Sequence, residues 1–375
     1  MQFKISPMIK KYPFYIKSTI ILLGLILLVY ILFNLREILV PLSFALMLAI
    51  LLNPITVFLQ KIKFPRMLAI AVALLIAIVL IAGVFYFLFS EISNLSTELP
   101  AFKIKFTRII ANAQREISEQ LGINSQKQNE YIDDAQNGLK PYLANAMGTA
   151  FGTLTTLILL PVYSFLFLYY KTLILNFLYD VFADADAKEV RVVLVQTKSA
   201  IQNYMFGLIL EAIIVAVLNT IALLMLGVKY AVLLGFLGAI INVLPFIGGI
   251  VAILLPVLIA TVTKDGFQTQ LGIIVAYVII QFIDNHFLIP YIVSSKVKIN
   301  ALISIIIVLL GGALWGISGM FLSIPFIGIL KIIFDRMPEL KPWGRLLGDE
   351  ILTRQKGQKI KILKKVKPTP NDTNA

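Results

Sequence analysis

The stretch YAVLLGFLGAIINVLPFIGGIVAILLPVLIATVT, residues 230–263, carries no charged side chain and is too long for a single membrane span. A helix needs about 20 apolar residues to cross the hydrocarbon layer of a bilayer. The stretch is also interrupted near its middle, where Asn242, Pro245, Gly248 and Gly249 fall within eight residues. Proline and glycine are poor helix formers. The sequence therefore predicts either a steeply tilted span or two short helices folded back as a hairpin.

A second uncharged stretch, INALISIIIVLLGGALWGISGMFLSIPFIGIL, shares both properties over residues 299–330. Its interruption contains Gly311, Gly312, Gly316 and Gly319. Apolar segments broken by glycine or proline in two parts of one chain are typical of transporters with discontinuous helices. We therefore predict a shared transport site near mid-membrane, where the broken helix ends present backbone N–H and C=O groups to a solute or ion.

The composition indicates a membrane protein. Apolar residues make up 59% of the chain, charged residues only 14%, and the mean hydropathy is +0.90. Soluble domains carry about 25% charged residues. We predict an all-α polytopic integral membrane protein with about eight hydrophobic segments, at residues 18–35, 38–60, 67–90, 141–170, 205–228, 230–263, 266–292 and 299–334.

These segments divide the chain into four predicted parts. Residues 1–90 hold spans one to three, and residues 91–140 form a polar insert. Residues 141–335 form the core transport region, and residues 336–375 form a basic tail. Apolar residues recur at helical spacing from Phe102 to Leu121, so the insert is predicted to contain an amphipathic helix.

Lys and Arg residues in short loops predict the orientation of the protein in the membrane, because loops rich in these residues stay on the cytoplasmic side. The N-terminus, the turn after the second segment and the loop 171–198 are basic and are predicted to be cytoplasmic. The insert is then extracytoplasmic. The tail is also predicted to be cytoplasmic, because eleven Lys and Arg lie between residues 331 and 367. With both termini on the cytoplasmic side, the chain must cross the membrane an even number of times. This orientation parity favours an element 299–330 that enters and leaves on the same side.

Several classes of site are excluded by residue types. The chain has no cysteine and a single histidine, so disulfides, thiolate metal sites and thiol nucleophiles are absent. The run Gly316-Ile-Ser318-Gly319 matches a pattern of rhomboid-type proteases, but no histidine follows Ser318 to serve as its base. Zinc-protease and phosphate-loop motifs are also missing. We predict a protein that is not an enzyme and that has no cofactor or metal site.

The net charge of +13 is concentrated in the basic tail. Beside membrane spans, such a tail indicates contact with anionic lipid head groups rather than nucleic acid. Within the apolar segments, Glu211 and Asp284 are candidates for binding a cation or exchanging a proton, because buried charge is costly in a membrane. Two structural alternatives remain open. Glu211 could hydrogen-bond a neighbouring helix, and Asp284 with His286 could lie at the cytoplasmic interface.

Several motifs occur in order along the second half of the chain: NYMFG at 203–207, LPFIGG at 244–249, QFIDN at 281–285, and the glycines of 311–319. With these motifs the chain resembles the autoinducer-2 exporter family of bacterial permeases, most strongly over about residues 200–350. The resemblance implies eight membrane segments, a bacterial cytoplasmic membrane, and a homo-oligomeric, secondary-active carrier. Leu208 stands where the family often has glutamine.

The family resemblance implies export of a small polar solute such as the quorum-sensing signal autoinducer-2, coupled to an ion gradient. Sodium(lithium)/proton antiport is the alternative, with sodium or protons as the partners. A non-transporting membrane scaffold is the alternative of another class. The predicted pathway residues are Glu211, Asn242, Pro245, Gly248, Gly249, Asp284, Asn285, Gly311, Gly312, Gly316 and Gly319.

The predicted orientation can be tested with reporter fusions. A fluorescent protein fused after Ala375 should fluoresce, and alkaline phosphatase fused there should be inactive, because the basic tail stays in the cytoplasm. The same reporters placed in the insert 91–140 should behave oppositely. Active phosphatase at the C-terminus would contradict the even number of crossings.

Overall fold

The computed structural model describes residues 13–97, 99–121, 159–182, 187–245, 248–293 and 299–349. Regular structure in these ranges is helical apart from one isolated β-bridge, which confirms the all-α fold class. The rest of the polar insert, the first part of the fourth segment and the end of the tail lie outside the described residues. The helices are α1 (Phe14–Asn34), α2 (Arg36–Lys61), α3 (Arg66–Ser96), α4 (Leu99–Leu121), α5 (Leu159–Tyr169), α6 (Lys171–Val181), α7 (Ala187–Met225), α8 (Ala231–Asn242), α9 (Gly248–Thr263), α10 (Gln268–Ile283), a π-helix (Asp284–Val293), α11 (Ala301–Arg336) and α12 (Lys341–Leu347).

Among the described residues, six helices are long and apolar enough to cross a membrane, or seven if α5 and α6, bent by 64°, count as one span. The multi-pass membrane fold is thereby confirmed. The loop predicted over 171–198 is largely helical instead, in α6 and the start of α7. Helix α7 has 39 residues and is about 58 Å long, so its charged first turns extend beyond a hydrocarbon layer of about 30 Å.

The stretch 230–263 folds back as a hairpin, which settles the two alternatives left by the sequence. Its two ends meet, since a Cβ atom on Gly227 would lie 3.2 Å from Lys264 Nζ. At the turn, Gly248 packs directly against the backbone of Ile241, and a Cβ atom there would collide with it. Helices α8 and α9 are about 18 and 24 Å long, shorter than the hydrocarbon layer. We call this element the first hairpin.

The first hairpin packs on α7 and α10 through a buried apolar cluster that includes Leu223, Leu234, Ala260 and Ile273. Association inside a membrane depends on close packing at small residues, because lipid tails are as apolar as the side chains. Gly235 supplies such a contact, since a Cβ atom there would lie 2.7 Å from the backbone nitrogen of Thr220. The first hairpin therefore packs closely against the C-terminal part of α7.

Helix α11 is also folded back on itself, as orientation parity predicted for 299–330. The backbone leaves helical geometry at Trp315 and at Gly316, whose φ of +61° and ψ of −143° suit glycine. The two arms then run so close that Gly311 and Gly319 touch, and a Cβ atom on either would collide with the other's backbone. We call this element the second hairpin.

The two ends of the second hairpin meet on one side. Helix α12 brings the chain back, and Gly348 forms the isolated antiparallel bridge with Ile299. At the tip, Trp315 Nε1 donates a hydrogen bond of 2.9 Å to the carbonyl of Leu32, near the end of α1. The second hairpin thus enters and leaves on the same side, and its tip lies beside the C-terminal end of α1.

Helix α10 widens into a π-helix beginning at Asp284. Pro290 lies inside this segment, and proline has no N–H and crowds the preceding turn of an α-helix. A π-turn changes the hydrogen-bond register and is frequent at functional sites. The polar cluster of residues 284–286 therefore begins where the helical winding changes.

The close contact between Gly311 and Gly319 should make the stability of the protein sensitive to a side chain added at either position. Gly319→Ala is expected to destabilise the protein by about 1–3 kcal/mol, because a methyl group must be forced between the two arms. The matched control is Gly83→Ala in α3, where nothing lies within 4 Å of the added Cβ atom. Thermal unfolding in detergent measures both variants. Equal melting temperatures would contradict the close approach of the arms.

Candidate functional site

A cavity of about 890 Å³ lies between the turn of the first hairpin, α7 and the junction of α10 with the π-helix. We call it the main cavity. Its walls include six of the predicted pathway residues, namely Glu211, Asn242, Pro245, Gly249, Asp284 and Asn285. The sequence places these residues on three separate segments, and the fold brings them together.

The main cavity contains a pair of buried carboxyl groups. Glu211 on α7 is 5% exposed and Asp284 on the π-helix is 1% exposed. The two carboxyl groups lie close enough to interact electrostatically. The lining residues among those that the structure describes include no Lys, Arg or His. Among the described wall residues, the pair therefore has no basic counterion.

Two amide groups hold the Asp284 carboxylate in place. Asn242 Nδ2 donates to Asp284 Oδ2 at 2.8 Å, and Gln281 Nε2 donates to the same oxygen at 3.3 Å. Asp284 is thus enclosed by protein rather than exposed on its surface. His286 is exposed, with its ring stacked on Phe282 at 4.2 Å, and it is not among the cavity-lining residues.

The three polar residues lie at similar depth. Measured along their helices from the ends predicted to face outward, Glu211, Asn242 and Asp284 lie about 17 to 24 Å inward at 1.5 Å per residue. A hydrocarbon layer is about 30 Å thick. The predicted orientation therefore places this group at or somewhat beyond mid-membrane, on the cytoplasmic side.

The glycines of the first hairpin make room for these contacts. A Cβ atom on Gly249 would collide with the Gln281 amide and lie 3.2 Å from Asn242 Oδ1. Gly249 therefore lets the backbone approach the side chains that hold Asp284. Gly248 is buried at the turn and is not among the lining residues.

The second hairpin contributes to the cavity through its arms and not through its turn. Ser304, Ile324, Pro325 and Gly328 line the cavity. The predicted pathway residues of the turn do not line it: Gly311, Gly312, Gly316 and Gly319 lie elsewhere. Gly311 and Gly319 pack the two arms together, and Gly312 faces Met320. The structure thus separates the two backbone interruptions, and only the first borders the cavity.

Some lining residues were absent from the predicted set. The polar ones are Asn203, Tyr204, Tyr277, Gln281, Ser304 and Asp349. Gln281 was detectable, because it precedes Asp284 by three residues and so lies on the same helix face. The tyrosines gave no comparable signal, since an aromatic residue in an apolar helix is usually a packing residue. Leu208, which differs from the family's usual glutamine, also lines the cavity.

The sequence profile of the AI-2E family transporters matches residues 19–339, most of the chain. The chain belongs to this family. Among similar proteins, the AI-2 transport protein TqsA of Escherichia coli K12 is 26% identical over 343 residues, covering 88% of this chain and 95% of TqsA. The family match and these relatives, together with the long apolar helices, show that this AI-2E protein is a multi-pass membrane transport protein.

Other relatives of this AI-2E protein carry less specific descriptions. A putative transport protein of Borreliella burgdorferi is 23% identical over 84% of this chain and 85% of its own length. The putative transport protein YrrI of Bacillus subtilis is 29% identical over 35% of this chain, and the match spans 36% of YrrI. All three names indicate transport, and among the three only the name of TqsA includes a substrate.

Because the chain has no native cysteine, a single introduced cysteine can report whether water and reagents reach the main cavity of this AI-2E protein. Ser304→Cys places a thiol on the cavity wall, whereas Ser164→Cys is a control at a fully buried position that is not among the lining residues. Thiolates react only where water and reagent reach them. A polar maleimide should therefore alkylate the Ser304→Cys variant about tenfold faster than the Ser164→Cys variant. Equal rates would contradict an accessible cavity.

Proposed function

We propose that this AI-2E protein is a secondary-active transporter that moves a small polar solute through the main cavity, coupled to the movement of a cation. The observation that carries the proposal is the buried carboxyl pair of Glu211 and Asp284 in a cavity whose described walls hold no basic side chain. Small-molecule sites commonly measure about 300 to 1,000 Å³. The main cavity, at about 890 Å³, lies in that range.

The wall chemistry suits a solute with hydroxyl or amine groups. Asn203, Tyr204, Gln281 and Ser304 supply polar contacts, and apolar side chains such as Leu208 form the rest of the wall. A cavity lined by acidic groups favours neutral or cationic solutes over anions. TqsA is named for AI-2 transport, so a signalling molecule of that kind, moved outward, is the substrate we propose.

Coupling is proposed to arise from the charge of the pair. Two neighbouring carboxylates repel each other in a poorly solvated site, and a proton or a small cation between them relieves the repulsion. Buried charge in a membrane protein is retained chiefly for such functions. Neutralising the pair would therefore favour one conformation of the first hairpin over another.

Sodium(lithium)/proton antiport is the alternative, and the same pair supports it. In that case the cation and the proton would compete for Glu211 and Asp284, and no organic solute would move. Two other proposals follow from the family: a bacterial cytoplasmic membrane and homo-oligomers. Two more follow from the distribution of Lys and Arg: cytoplasmic termini and contact of the basic tail with anionic lipid.

The coupling proposal is tested by flux in proteoliposomes. Glu211→Gln and Asp284→Asn should each lower gradient-driven flux by about tenfold or more, because each removes a charge that the driving cation must neutralise. Asp265→Asn is the control, since that carboxylate is fully exposed and its 3.6 Å contact with Lys105 is weak. The flux panel should contain AI-2, amines, sodium and protons.

Three results separate the candidate functions. Solute flux that requires Glu211 supports export, and sodium-for-proton exchange without solute flux supports antiport. A folded protein that moves neither solute nor ions would leave the scaffold alternative. Normal coupling in the Glu211→Gln and Asp284→Asn double variant would contradict the role of the pair.

A further inference from the structure

A second, much smaller cavity lies beside the main cavity. Its volume is about 10 Å³, which is the space of one water molecule or one small ion. Asn219, Gly238 and Ala252 line only this cavity, whereas Asn242, Tyr277 and Asp284 also face the main one. Asp284 therefore stands between the two. We call this space the small cavity.

Three buried oxygen atoms on residues that line the small cavity have no hydrogen-bond partner. They are Asn219 Oδ1, Tyr277 Oη and Asp284 Oδ1, and the side chains are 2%, 6% and 1% exposed. In the described ranges, one other buried side-chain oxygen, Gln270 Oε1, lacks a partner, and it lines neither cavity. Buried polar atoms are nearly always satisfied. Three such atoms on residues around one small space point to a polar or charged occupant.

Two amide donors of the cavity wall are engaged by the other oxygen of Asp284. The N–H groups of Asn242 and Gln281 are directed to Asp284 Oδ2. The other oxygen of the same carboxylate, Oδ1, is left without a donor. Among the three unpartnered atoms, Asn219 Oδ1 and Asp284 Oδ1 only accept, the Tyr277 hydroxyl can accept as well as donate, and the one formal charge is the negative charge of Asp284. Such a set favours a positively charged occupant.

The ligand types narrow the class of cation. Carboxylate, amide carbonyl and hydroxyl oxygens suit hard cations, whereas transition metals prefer imidazole and thiolate ligands. No group of three or more acidic, histidine or cysteine residues suited to a metal ion occurs in the described residues. One carboxylate with neutral oxygens provides a single negative charge, which matches a monovalent cation better than a divalent one.

Gly238 keeps the small cavity open. A Cβ atom there would lie 3.1 Å from Asn219 Nδ2 and 3.4 Å from Tyr277 Oη. The absent side chain therefore allows both residues to approach the first hairpin. Asn219, Tyr277 and Asp284 come from α7, α10 and the π-helix, so an ion bound by all three would connect these elements.

We propose that the small cavity binds one dehydrated monovalent cation of about the size of sodium, through Asn219 Oδ1, Tyr277 Oη and Asp284 Oδ1. This inference rests on the proposed function, because the bound ion would be the coupling cation. Occupancy of Oδ1 would change the charge that Asp284 presents to its neighbour Glu211. A solute in the main cavity and an ion in the small cavity would then interact through one side chain.

Binding is measured on the purified, detergent-solubilised full chain, with radioactive sodium in a scintillation proximity assay at constant ionic strength. Saturable binding of one sodium per chain is expected, with competition by lithium and little by choline. Tyr277→Phe removes a single oxygen and keeps the ring, so affinity should fall about tenfold. Asn219→Ala should act similarly, and Asp284→Asn should lower affinity further.

The matched control is Gln270→Met, which removes another buried, unpartnered amide oxygen on α10 outside both cavities. Its sodium affinity should equal that of the wild type. Monodisperse elution and a normal melting temperature without sodium show that each variant is folded. A folded wild type with no saturable sodium or lithium binding would mean that the small cavity holds water, which overturns the proposal. Affinity unchanged in both Tyr277→Phe and Asn219→Ala would overturn it as well.

These results are separable from the proposed function. Proton-driven solute flux that depends on Glu211, without sodium binding, would overturn the ion site and leave the transporter proposal standing. Saturable sodium binding that depends on Tyr277, without any flux, would support the site and contradict the proposed transport.

Discussion

The buried carboxylate of Asp284 is the constraint on which the centre of this protein depends. A charge away from water is costly unless it is paired or hydrogen-bonded. Asn242 at the end of α8 and Gln281 on α10 both donate to one of its oxygens. These bonds join the turn of the first hairpin to the helix behind it. The π-helix that begins at Asp284 and the glycine at 249 both accommodate this arrangement.

The two hairpins solve different physical problems. The first is short, and its turn brings Asn242, Pro245 and Gly249 to a cavity inside the protein, where irregular backbone at membrane depth is tolerated. The second is longer, and its glycines bring two arms into direct contact while Trp315 ties the tip to α1. A Gly-rich interruption in a membrane segment can therefore form a binding surface or a packing contact.

Much of the fold was predictable from residue patterns. The hairpin over 299–330 followed from orientation parity, and the break in 230–263 followed from length and from Pro245 and Gly248. The site was predictable in part, because Glu211 and Asp284 are rare charges in apolar helices. Tyr277 and Asn219 were not predicted as site residues, since a tyrosine or asparagine in a membrane helix usually packs or bonds locally. The long helical extension at the start of α7 was also missed, because its charged residues resemble a loop.

The sequence alone determined that the chain is an all-α membrane protein, where its apolar segments break, and to which family it belongs. These properties depend on local composition and on spacing along the chain. The tertiary structure decided which break borders the main cavity, because that depends on contacts between residues far apart in sequence. It also decided which polar atoms are left without partners. Asn219, Tyr277 and Asp284 line one small space only because α7, α10 and the π-helix pack together around the first hairpin.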